Sequence, residues 1–214
     1  MAEDKHELVE QQPEQFDLTP QIVSSEKNMW NDVAIMKQSW KMAGILANST
    51  VIPQQYRGKV GDCLIAMDIG NRLGTSPIMV MQNSQVVQGN FTWKGSACKA
   101  MIDGCGRFEK SEYVYFGEPK TNDWGCFLQA YDKHTDKLIR GPVVTLQMAQ
   151  DEGWLGKTGS KWKTMPEIML AYRAATFFAR LHCPEVLMGF MTAEEQKDVN
   201  GYDDDDKKKV VIEL

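Results

Sequence analysis

Two arginines, Arg173 and Arg180, stand seven residues apart in the stretch KWKTMPEIMLAYRAATFFARLHCPEVLMGF, residues 161–190. On a helical wheel they share a stripe with Met169 and Thr176, while Leu170, Ala174, Phe177 and Leu181 line the neighbouring stripe. Seven residues of helix rise about 10 Å. Two guanidiniums at that spacing can follow consecutive phosphates of a nucleic-acid strand through charge-assisted hydrogen bonds. The same stripe suits an opposite role, in which each arginine pairs with a carboxylate elsewhere in the fold. Other chemistry-bearing constellations are weak. His6, His134 and His182 fall in a tail, a turn and a helix end, without metal-ligand spacing. Asp62, Asp68 and Asp103 would have to converge from two helices to hold the metal of a nuclease, so surface carboxylates are the better reading. Cys105 and Cys126 lack a nearby histidine and read as packing residues. There is no GxxxxGK[ST] loop and no dinucleotide fingerprint. The expectation is binding, with no catalytic residue, no metal ligand and no nucleotide or redox cofactor.

The element that must position the arginines reads as one capped helix. Thr164 is the expected N-cap and Glu167 completes a capping box, with Pro166 in the first turn where its missing N–H costs nothing. About five turns then run to Cys183, and Pro184 ends them. Earlier in the chain, a helix is expected from about Glu26 to Ala47, with Met29, Val33, Met36, Trp40 and Ala43 on the core and Lys37 and Lys41 in solvent. A second helix spans about Lys59 to Leu73 with Gly74 as its C-cap, and a short one begins at Ser76-Pro77. QVVQGNFTW reads as a hairpin with Gly89-Asn90 at its tip, feeding a helix from about Gly95 to Ile102. Between Glu112 and Thr145 three strand-like runs separated by polar turns predict an antiparallel meander, and a short helix near Gln147 to Gly153 follows. The class is therefore α+β: a small antiparallel sheet with a β-hairpin, packed against several helices.

Charge divides the 214 residues into three parts. Residues 1–26 carry seven acids and one base, residues 194–214 eight acids and four bases, and residues 27–193 nineteen bases against fourteen acids. A basic body between acidic ends is compatible with a polyanionic ligand although the net charge is −5. The domain reading follows: a flexible acidic segment over 1–25, a core over 26–193, and a polar, mixed-charge tail over 194–214. The run Asp203 to Asp206, followed by three lysines, is expected to compete with such a polyanion for the basic body; its DDDDK string also matches a protease site used in engineered fusions. No apolar run approaches a membrane span, and the N-terminus lacks an apolar signal region, so a soluble, intracellular protein without membrane partners is expected. Five cysteines, odd in number and without a CxxC pair, read as reduced, buried thiols.

Three stretches together resemble the RecT family of phage single-strand DNA annealing proteins. They are KVGDCLIAMDIGNRLGTSPIMVMQNSQVVQGNFTWKGSACKAMIDGCGRF, DWGCFLQAYDKHTDKLIRGPVVTLQMAQDEGW and SKWKTMPEIMLAYRAATFFARLHCPEVLMGF. The combination NRLGTSPIMVMQN-x4-QG with P-x2-ML-x2-RA-x5-R-x3-P-x4-G is specific, and the likeness covers residues 27–195. The resemblance implies an ATP-independent recombinase, not an enzyme, that binds single-stranded DNA by its backbone in a basic groove and pairs it with a complementary strand. It implies homo-oligomers, as rings or helical filaments, in the cytoplasm of a bacterial host. A phage exonuclease and host single-strand-binding protein are implied partners, and the magnesium requirement is left open. Carried over residue by residue, Arg173 and Arg180 are the principal DNA contacts, then Lys161 and Lys163, then Lys94, Lys99 and Arg107. Phe91 and Trp93 would stack on bases or pack in the core. Two departures stand out: Glu167 replaces a basic residue after the motif proline, and the chain ends soon after the core, where longer members contact single-strand-binding protein. The alternatives are a metal-dependent nuclease and an assembly protein whose basic face docks an acidic partner.

Overall fold

The computed structural model describes residues 27–200. The expectations for residues 1–25 and for the aspartate run at 203–206 lie outside the described residues.

Helix α1 (Val33–Ala47) starts where the Asp32 carboxylate accepts from the Ala34 and Ile35 N–H groups. It buries Ser39, Ala43 and Ala47, leaving Val33 71% and Trp40 54% exposed. The expected Met29–Val33–Met36–Trp40–Ala43 stripe is thus corrected at two positions. α1 lies against α2 (Val60–Leu73), and its small residues, not its largest ones, form the buried side of that contact. Lys37 and Lys41 are exposed, as expected. Gly74 closes α2 in the left-handed region at φ 62°. Ser76 then caps α3 (Pro77–Asn83) by accepting from the Met79 N–H.

The hairpin follows at once. β1 (Ser84–Val87) and β2 (Asn90–Trp93) pair with Val87 opposite Asn90. Gln88 and Gly89 form the two-residue turn with φ 50° and 79°, a primed geometry that matches strand twist. The tip therefore lies one residue earlier than the expected Gly89-Asn90. After α4 (Gly95–Gly104) come β3 (Phe108–Phe116), β4 (Gly125–Asp132) and β5 (Lys137–Arg140), an antiparallel meander with a bulge between Glu109 and Glu112. Short β6 (Val144–Thr145) pairs with β4 and leads into α5 (Leu146–Asp151).

The helix that carries the two arginines is built differently from its expected form. Lys161–Thr164 make a separate turn, α6, so Thr164 ends one helix and cannot cap the next. Met165 is the cap of α7 (Pro166–His182), and no side chain accepts from its first N–H groups. The Thr164–Glu167 capping box does not form. Pro166 at the start and Cys183-Pro184 at the end hold as expected.

α7 packs on β4 and α4 and joins two apolar clusters. Ala175, Phe178 and Ala179 belong to the cluster that includes Tyr56, Met81, Trp93, Ile102 and Leu128. Met169, Leu170 and Ala174 belong to the cluster around Trp124, Val144, Trp154 and Trp162. After a 3-10 turn at Pro184–Leu187, Met188 and Gly189 adopt φ 51° and 79° in succession. The chain then forms β7 (Met191–Thr192), parallel to β2, and helix α8 (Ala193–Asn200). The class is α+β. Residues 194–200, the first part of the stretch expected as tail, lie in α8. No helix among the described residues is long and apolar enough to cross a membrane.

Candidate nucleic-acid interface

Arg173 and Arg180 do project from one face of α7, and that face is covered by α8. Arg173 is only 6% exposed. Its guanidinium pairs with Asp198, lies 3.5 Å from Glu195, and stacks over Trp154 at 4.2 Å. Arg180, 38% exposed at its side chain, makes a two-pronged contact with Glu195: Nε to Oε1 at 3.0 Å and Nη2 to Oε2 at 2.8 Å. One carboxylate thus bridges both arginines, and the pairing alternative raised by the sequence is the one found in this conformation.

Glu195 is oriented by a capping box. Its carboxylate accepts from the Thr192 N–H at 2.9 Å, while its own N–H donates to the Thr192 hydroxyl at 3.2 Å. Burial alone would raise its pKa; Arg180 and the Thr192 N–H outweigh that and hold it below the usual carboxylate range. Glu194 faces the other way and accepts from the Gly95 N–H, at the start of α4, at 2.8 Å. There burial dominates and pushes its carboxyl up.

Asp198 gathers further donors: the Trp162 indole N–H at 3.2 Å beside the Arg173 guanidinium. Lys157 binds the carbonyls of Lys197 and Asp198. Lys161 and Lys163 flank Trp162 and are exposed, with no ion pair among the described residues. Trp162, between the two lysines of α6, and Arg173 of α7 meet at the same Asp198 carboxylate. Lys94 directly precedes Gly95, and its ammonium donates to the Gln82 carbonyl.

The remaining expected contacts are engaged elsewhere. Lys99 pairs with Asp103 at 2.7 Å, bonds Ser111 and lies over the Tyr113 ring. Arg107 ties two elements together, donating to Asp132 at 2.8 Å and to the His182 carbonyl at 2.6 Å. Trp93 is buried, its indole N–H donating to the Leu187 carbonyl, so of the two roles expected for it packing in the core is the one found and base stacking is not. Phe91, half-buried, packs between Trp93 and Phe190 at centroid distances of 5.0 and 4.6 Å. Asp62, Asp68 and Asp103 have separate partners, Lys59, Arg72 and Lys99, and no group of three potential metal ligands forms among the described residues.

Sequence reasoning missed Glu194, Glu195 and Asp198 as members of this site. The signal was available: TAEE at 192–195 is a capping-box pattern, and Glu195 and Asp198 are one helical turn apart. None of the comparisons with family models, curated proteins and solved structures returns a match.

Proposed function

We propose that this protein binds single-stranded DNA by its backbone and anneals complementary strands without ATP. The observation that carries the reading is the set of four cations, Lys161 and Lys163 on α6 and Arg173 and Arg180 on α7, in successive helices of the stretch where the sequence resembles RecT-family annealing proteins. Two of these cations are exposed and unpaired by acids among the described residues, which suits first contact with a polyanion. Pairing two polyanions needs positive charge to offset phosphate repulsion, and it needs base edges left free. A backbone-binding set of cations meets both needs. Assembly along the strand, a cytoplasmic site of action and contacts with recombination partners belong to the same proposal.

The test is mixing two complementary oligonucleotides with the protein in the absence of ATP and following duplex formation, with strand length checked on a denaturing gel. Intact strands converted faster than in the protein-free control are expected. The double variant Lys161→Gln/Lys163→Gln should weaken binding for all sequences alike and flatten the salt dependence by about 1.4 units of logarithmic slope. Shortened strands would replace this reading with a nuclease. Intact strands without acceleration would replace it with docking of an acidic protein partner.

A further inference from the structure

Helix α8 covers Arg173 and Arg180 with two acids, Glu195 and Asp198. Glu195 meets Arg180 with two parallel N–H···O contacts, the geometry a guanidinium also makes with a phosphate. Asp198 takes the outer nitrogen of Arg173 together with the Trp162 indole N–H. Few apolar side chains secure the helix where it lies against β1 and β2: Ala193 is buried and Val199 is 66% exposed, while the other buried residues of α8 are Glu195, Gln196 and Asp198. A segment held by charge is displaced by a stronger polyanion more readily than one held by apolar packing. Just upstream, Met188 and Gly189 give the chain two consecutive left-handed residues, and only Phe190 and the short β7 separate them from α8.

We propose that α8 is an internal stand-in for DNA. Glu195 and Asp198 occupy a phosphate site formed by Arg173 and Arg180, and a single strand takes that site by displacing the helix. This rests on the single-strand reading above and adds its regulation. Lys161 and Lys163 supply the initial contact while the arginines are covered. Exchange then trades one set of anions on the guanidiniums for another, so neither arginine is left buried and unpaired. The freed carboxylates return to water, and counterions released from the DNA favour the exchange at low salt. The arginines thereby join only after a strand has docked, which limits capture of short anions that cannot also span the lysines.

The experiment is hydrogen–deuterium exchange on the full chain, with and without a saturating oligothymidylate, beside binding isotherms. Exchange in residues 193–200 should accelerate at least about tenfold when the strand binds, while the middle of α7 stays protected. The variant Glu195→Gln/Asp198→Asn should bind the same oligonucleotide at least about threefold more tightly at low salt. Should that variant not fold, the exchange data on the unaltered chain decide alone. Binding with α8 still protected, or a folded variant with unchanged or weaker affinity, would overturn the stand-in role and leave the DNA reading intact. No oligonucleotide binding by either protein would overturn both.

Discussion

At the level of single residues, Asp132 shows how a cation expected at an interface becomes part of the scaffold. Its buried carboxylate accepts from Arg107 Nε and Nη2 at 3.2 and 2.8 Å and from the His134 N–H at 2.9 Å. Arg107 also bonds the His182 carbonyl at the end of α7, where a positive charge suits the helix dipole. The Arg107 guanidinium is the main reason that the Asp132 carboxyl is held at about 2. A carboxyl lowered in the folded state adds stability that is complete above its unfolded value of about 4 and disappears as pH falls through its folded value. Asp132→Asn should therefore cost about 2–3 kcal/mol at neutral pH, and the gap from the unaltered protein should close between about pH 4 and 2. Urea denaturation across that range checks it; a gap independent of pH would remove the ion pair as the cause. Arg173→Ala is a poor probe of DNA contact for a related reason, since it takes the guanidinium away from the buried Asp198 carboxylate of α8 at a cost of about 3–5 kcal/mol.

At the level of elements, Gly95 joins α4 to α8. A side chain there would place its Cβ 2.8 Å from both the Glu194 carboxylate and the Tyr172 ring. Gly95→Ala should lose about 1–3 kcal/mol and loosen α8. Gly104→Ala, with open space around its Cβ, should change stability by less than about 1 kcal/mol. Chemical denaturation of the two variants compares them directly, and equal losses would show that the Gly95 contact does not matter. Capping patterns also show what was legible in the sequence. The chain has Thr-x-x-Glu at 164–167 and at 192–195, and only the second forms a capping box. The first fails because Thr164 already belongs to α6, a boundary that helical periodicity does not reveal. Strong local chemistry was readable: Gly74, Ser76-Pro77, the hairpin, the meander and the end of α7. The inner stripe of α1 was not, because contact with α2 selected Ser39, Ala43 and Ala47 over larger neighbours. The arginine stripe was legible as geometry, but its partners were not, since Glu195 and Asp198 return from beyond the expected core boundary.

At the level of the whole molecule, α7 runs through both apolar clusters, so neither can come apart without disturbing the other. Leu170→Ala in one cluster should cost about 2–5 kcal/mol and Phe178→Ala in the other about 3–5 kcal/mol. Calorimetry should show a single transition in each variant; two separated transitions would mean that the clusters melt as independent units. The same depth of packing fixes the fate of the thiols. All five cysteines are free and buried, and burial pushes Cys98, Cys126 and Cys183 up to about 12. Thiolate, not thiol, is the form that attacks maleimides and disulfides. The folded protein is thus chemically quiet toward such reagents, and a cysteine introduced on its surface can carry a fluorophore while the native five remain in place.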